Sequence, residues 1–158
     1  MRPAEELRFL ILAIQREGNR RLAADLRPLD VTPSQAEVLR VLADHQPLTL
    51  LGLGELLVCE TGGSPSRLVD RLVSAGLVRR ETNPSDRRQV TLTLTRDGER
   101  VARQIASVEH DLYQLIDDGT AGTPVDDAIA VLRRLAGQFP AGQAVARRAE
   151  LADSSPRA

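Results

Sequence analysis

The chain has no lysine, no tryptophan, one cysteine and three aromatic side chains (Phe9, Tyr113 and Phe139) among its 158 residues. Each shortage removes a class of reading. Cys59 has no second cysteine to pair with, so a disulfide-framed scaffold is excluded and a reducing compartment, the cytoplasm, is expected. Three scattered rings cannot form the row of stacking platforms on which single-strand binders lay bases. No apolar run reaches the ~20 residues of a bilayer span. Glu5, Glu6 and Arg8 interrupt the first apolar residues before a signal-peptide core forms, so no membrane association is expected. His45, His110 and Cys59 show no C-x-x-C or H-x-x-x-H spacing, which argues against a metal site. There is no nucleophile triad, glycine-rich phosphate loop or suggestive acid pair, so neither an enzyme nor a cofactor is expected.

What is present is arginine, unevenly placed. With lysine absent, all 21 basic residues are arginine, and a coding bias accounts for that preference. The formal net charge of −1 conceals a split. Between Ser64 and Arg103 nine arginines face five acids (Asp70, Glu81, Asp86, Asp97 and Glu99), while the rest of the chain is net acidic. A basic segment inside an acidic chain points to one face that meets phosphate.

Periodicity then orders the chain. Residues 5–26 carry Leu7, Leu10, Ile11, Ile14, Leu22 and Leu26 at helical spacing, ending near Pro28. Thr32-Pro33-Ser34-Gln35 is a helix start, with a hydroxyl cap, proline at the first helical position and glutamine to close a capping box. That helix ends before Pro47. A short extended piece, residues 48–50, precedes a third helix over roughly 52–58, weakened by two glycines. After a turn containing Gly62 and Gly63, Ser64 reads as an N-cap and Pro65 opens a fourth helix. On that helix Leu68, Val69, Leu72 and Val73 face one way, and Ser66, Arg67, Asp70, Arg71 and Ser74 the other; Gly76 closes it. Residues 77–82 and 89–95 alternate as a two-stranded hairpin with an exposed tip at 83–88. Thr95 caps a long helix running through Val101, Ile105, Val108, Leu112, Leu115 and Ile116, and a last helix follows Thr123-Pro124. The tail beyond about 149 reads as disordered.

This order predicts a mostly α fold with a small β-hairpin wing: a winged helix-turn-helix with long N- and C-terminal helices. The expected division is 1–29 for a long N-terminal helix, 30–95 for a DNA-binding lobe, 96–148 for long C-terminal helices and 149–158 for the tail. An α-helix fits the major groove, and its N-terminus offers free N–H groups and positive potential to phosphate. Ser64 and Ser66 are short donors that let the backbone approach. Arg67 and Arg71, one turn apart, suit guanine edges or phosphates. Arg87 and Arg88 on the wing suit a narrow minor groove. Asp70 would repel DNA and is better read as holding an arginine. Cys59 is either a small residue at a helix end or a redox sensor needing a partner thiol. A winged-helix protein-interaction module without DNA binding is the other alternative.

Taken together, Thr32-Pro33-Ser34-Gln35-Ala36-Glu37-Val38-Leu39, Leu53-Gly54-Glu55-Leu56-Leu57, Ser66-Arg67-Leu68-Val69-Asp70-Arg71-Leu72, Gly76-Leu77-Val78-Arg79-Arg80 and Asp86-Arg87-Arg88 before Val90-Thr91-Leu92-Thr93-Leu94-Thr95 resemble the MarR family of bacterial regulators over roughly residues 30–103. The entry to the fourth helix, Cys59 to Pro65, departs from the family's commoner Val-Ser-x-x-Thr-Val. The resemblance implies a regulator that binds double-stranded DNA as a homodimer, with 1–29 and 96–148 as its dimerisation helices, and that acts as a repressor (in some members an activator) released by a small phenolic or lipophilic effector or by oxidation. It further implies that Arg67 and Arg71 lie on the recognition helix, that Arg87 and Arg88 lie on the wing, and that acids at Asp70 and Asp86 orient the arginines.

Overall fold

Seven α-helices and three strands make up the fold in the computed structural model, which describes residues 1–59, 64–83 and 86–154, with the backbone alone for residues 83 and 86–89. Helix α1 (Pro3–Leu26) leads through a 3-10 turn (Arg27–Leu29) to α2 (Pro33–His45). The box that starts α2 forms as its residue types dictate: Thr32 Oγ1 accepts from the Gln35 N–H at 3.3 Å and Gln35 Oε1 accepts from the Thr32 N–H at 2.9 Å. Then come β1 (Leu48–Thr49), α3 (Leu50–Leu56), α4 (Pro65–Ser74), β2 (Val78–Asn83) and β3 (Asp86–Leu94).

The sheet has three strands in the order β1-β3-β2, not the two expected. Leu48 and Thr49 pair antiparallel with Leu92 and Thr91, so β3 is flanked on both sides. Gln46 adds a side-chain bond: its Oε1 accepts from the Leu94 N–H at 2.7 Å. A hairpin alone is marginal, and the third strand with the helices beneath supplies the missing support. Leu92 and Leu94 are buried, whereas Val90 is exposed because the hairpin has already run past the core.

Thr95 joins the sheet to α5 (Arg96–Thr120). Its hydroxyl donates to the Gly76 carbonyl at 2.7 Å and accepts from the Gly98 N–H at 3.0 Å. Gly76, at φ +73°, ends the α4 turn in the left-handed region that a side chain resists. A Cβ on Gly98 would lie 1.9 Å from the Leu77 carbonyl oxygen, so glycine is required where α5 crosses the start of β2.

The C-terminal part holds two helices, α6 (Val125–Ala136) and α7 (Pro140–Ser154), rather than one. Pro140 begins α7, and a Cβ on Gly142 would sit 2.0 Å from the Ala136 carbonyl oxygen, which fixes the tight corner. The tail expected to be disordered from 149 is helical as far as Ser154, in keeping with its alanine-rich, glycine-free sequence. A continuous core joins Leu26, α2, α3, α4, the sheet and the first half of α5, with Leu39, Leu42, Leu53, Leu72 and Ile105 fully buried. Among the described residues no helix is long and apolar enough to cross a membrane.

Candidate nucleic-acid interface

Helix α4 is anchored by its apolar face. Val69 and Leu72 are fully buried, Leu68 and Val73 pack partly against the same core, and the opposite face carries Arg67, Asp70 and Arg71, all exposed. The i, i+4 spacing stacks Arg67 and Arg71 one turn apart on a helix that cannot roll without exposing its core side chains. Ser64 occupies the N-cap position with extended backbone, but its side chain makes no capping bond; the carbonyl of Ser64 accepts from the Arg67 N–H instead, at 2.9 Å. That corrects the expectation of a hydroxyl cap and leaves the Ser64 side chain exposed. Ser66 is partly buried beside Pro65 in a shallow apolar groove shared with Leu50 and Leu51.

Asp70 does hold an arginine, although neither of those on its own helix. Its Oδ1 accepts from Arg80 Nη2 at 2.6 Å, a bridge from α4 to β2. Arg80 is therefore a residue whose role sequence reasoning missed: the pairing spans two elements, and only the quoted Arg79-Arg80 pair hinted at it. Neighbouring Arg79 donates from Nε to Thr93 Oγ1 at 3.0 Å and pairs with Glu81 at 2.8 Å across the exposed sheet face. Arg87 and Arg88 fall on β3 rather than on the turn, since β3 begins at Asp86, paired with Asn83. The Arg87, Arg88 and Asp86 side chains, and the turn through Gly62 and Gly63, lie outside the described residues.

Cys59 is half-buried just after α3. Burial first, then its hydrogen bond to the Glu37 carboxylate and that group's charge, push its thiol up to about 12. Since the thiolate is the reactive form, the environment suppresses the chemistry a redox sensor uses.

A cleft of about 600 Å³ lies between α2, α5 and α7, lined by Arg40, Asp44, His45, Glu109, Tyr113 and Arg148. Arg40 bonds Glu109 at 3.1 Å, with Asp44 3.8 Å away. Burial nevertheless pushes the Glu109 carboxyl upward, and burial followed by the Glu109 charge does the same to the Tyr113 hydroxyl.

Comparison with known proteins places this arrangement. The model of the MarR family matches residues 31–90, the segment from the start of α2 into β3. The multiple antibiotic resistance protein MarR of Escherichia coli is 35% identical over 106 residues, which span 66% of this chain and 73% of that relative. The chain belongs to the MarR family. A second relative, the organic hydroperoxide resistance transcriptional regulator of Bacillus subtilis, is 32% identical over 98 residues, 62% of this chain and 66% of that protein. Among solved structures, a mutant of Escherichia coli MarR complexed with operator DNA superposes with a TM-score of 0.72 at 31% identity, covering 82% of this chain and 93% of that one. The fold is the winged helix of MarR transcriptional regulators, a family of regulators rather than enzymes.

Proposed function

We propose that this protein is a homodimeric, sequence-specific regulator of transcription that acts as a repressor on a pseudo-palindromic operator in double-stranded DNA. The carrying observation is the anchoring of α4: a helix pinned by Val69 and Leu72 presents Arg67 and Arg71 outward, with Asp70 braced by Arg80. Helix α4 enters the major groove and its exposed arginines meet base edges or phosphates, supported by Ser64 and Ser66 at the helix start. Arg87 and Arg88, backed by Asp86, extend the contact into the flanking minor groove.

Dimerisation uses the terminal helices, 1–29 and 96–148. Phe9, Leu10 and Ile14 on α1, Leu115 and Ile116 on α5 and Val131 and Leu132 on α6 are exposed, and association through these helices would take such apolar side chains out of water. In such a dimer the two α4 helices address half-sites about one helical turn, ~34–36 Å, apart. A small-molecule effector seated in the cleft between α2, α5 and α7 would change the spacing of the lobes and so the affinity for DNA.

Selection of bound duplexes from a random pool, with purified protein over a salt series, tests the reading. Recovery of an inverted repeat whose affinity falls steeply with salt is expected. Recovery of nothing at low salt, with Cys59 reduced, would leave a winged helix that contacts protein alone.

A further inference from the structure

Helix α3 ends without the usual provisions. It has seven residues, its C-cap Leu57 is extended rather than left-handed, and the backbone groups just beyond it would be left without partners inside the lobe. Two side chains from distant parts of the chain take them up. Glu37 on α2, whose side chain is only 10% exposed, accepts the Val58 N–H on Oε1 and the Cys59 N–H on Oε2, each at 2.8 Å. Arg148 on α7 donates from Nε to the Leu56 carbonyl at 2.7 Å and from Nη2 to Glu37 Oε1 at 2.5 Å. One carboxylate and one guanidinium thus tie the end of α3 to both α2 and the last helix, through bonds strengthened by charge. The guanidinium also sits at a helix C-terminus, where positive charge is favoured.

These anchored amides lie only a few residues before the recognition helix. Cys59 is separated by five peptide links from Ser64, the residue that opens α4, and such a segment reaches at most about 18 Å. Holding the amides of Val58 and Cys59 limits where the recognition helix can begin. We propose that Glu37 and Arg148 are positioning residues for DNA binding, a clasp through which α7 holds the chain just after α3 and so limits where the recognition helix begins. The inference rests on the DNA-binding reading above. It gives α7 a part in the DNA-binding lobe, so that movement of the last helix is transmitted to α4 with no contact between α7 and DNA. The neighbouring pair Arg147–Glu55, at 3.5 Å and half exposed on both sides, is a solvent-screened contact and no part of the clasp.

The test uses the full-length protein and the inverted-repeat duplex recovered by selection. Affinity is measured over a salt series for wild type, Arg148→Ala, Glu37→Gln and the double variant, with Arg147→Ala as control. Arg148→Ala is expected to weaken binding about tenfold, the size of one lost charge-assisted hydrogen bond. The slope of log affinity against log salt should stay at the wild-type value, because no phosphate contact is lost. The double variant should bind no worse than the weaker single variant, and Arg147→Ala should bind as wild type. Hydrogen exchange at the Val58 and Cys59 amides should quicken in both single variants. Wild-type affinity in a folded Arg148→Ala protein overturns the proposal, as does a salt slope lowered by about 0.9, which would mean that Arg148 touches phosphate directly. If Arg148→Ala does not fold, Glu37→Gln decides: unchanged affinity and unchanged exchange at the two amides overturn the clasp. A wild-type protein that selects no duplex instead fails the DNA-binding reading itself, and this inference with it.

Discussion

Two regions of this chain treat apolar side chains in opposite ways. From Val31 to Ile105 most of them point inward: Leu39, Leu42, Leu53, Leu72 and Ile105 are fully buried in one continuous core, and among the described large apolar residues only Leu50, Leu51 and Val90 are exposed. In the terminal helices the reverse holds. Helix α1 buries only Leu26, α6 buries nothing and α7 buries only Ala144, while Ile14 remains 73% exposed. The first region has closed its core within one chain; the second has an apolar surface and nothing of its own to cover it. Buried area stabilises the lobe as a monomer, and the same chemistry in the terminal helices is available for association.

The sharpest way to break the comparison is at the seam between the regions. Gly98→Ala drives a Cβ against the Leu77 carbonyl, a backbone atom that cannot turn aside. A loss on the order of 4 kcal/mol is expected, read as a large drop in thermal midpoint. Leu39→Ala, wholly inside the lobe, should cost about 3 kcal/mol through lost burial and the cavity left behind. A variant that melted at the wild-type temperature would deny the lobe its closed core.

The terminal region should answer differently. Ile14→Asp is expected to leave monomer stability within about 0.5 kcal/mol of wild type, since the side chain is exposed. In the proposed dimer it should weaken association by about 2 kcal/mol, seen by sedimentation as a shift toward monomer over a concentration series. If Ile14→Asp lowers the melting temperature as Leu39→Ala does, without changing the association state, the two regions are one and the contrast fails. Arg71→Ala, exposed on the lobe, should alter neither quantity and should cost about 1–3 kcal/mol of DNA affinity alone.

Local signals were legible in the sequence wherever a few neighbouring residues settle the matter. The Thr32–Gln35 box, the Thr95 cap, the left-handed Gly76 and the amphipathic α4 all arise from spacing within a turn or two. What escaped is non-local. The extended piece at 48–50 was legible, but not that Leu48 and Thr49 would pair with Leu92 and Thr91 to add a third strand to the hairpin. Asp70 and Arg80 are joined only once β2 folds against α4, and Arg148 reaches Glu37 across 111 positions. No periodicity encodes such pairings: Asp70 could be read as holding an arginine, but which arginine depends on the fold, and Glu37, Arg80 and Arg148 each read alone as an ordinary charge. The division of the C-terminal helix had a visible sign in Phe139-Pro140, where a proline opens α7. The same lesson applies to Ser64, whose residue type suits a cap that its side chain does not make.

The smallest effect concerns Cys59, which lies in the lobe against the α7 clasp and so touches both regions. Burial and Glu37 raise its thiol from an ordinary 9.0 to about 12. In that interval the unfolded chain releases a proton that the folded chain keeps, so the raised value makes stability fall as pH climbs from 9 toward 12, and leaves it unaffected at neutral pH. Because the thiol is only half-buried, the fall should be modest. Urea unfolding of wild type and Cys59→Ala between pH 8 and 10.5 should give curves parallel up to about pH 9 and diverging above it, wild type losing more. Glu37→Gln should narrow the divergence by removing the carboxylate that opposes the thiolate, and should hasten alkylation of Cys59 at pH 8. Identical pH slopes in wild type and Cys59→Ala would show that the thiol titrates as it does in an unfolded chain, and that Glu37 does not reach it.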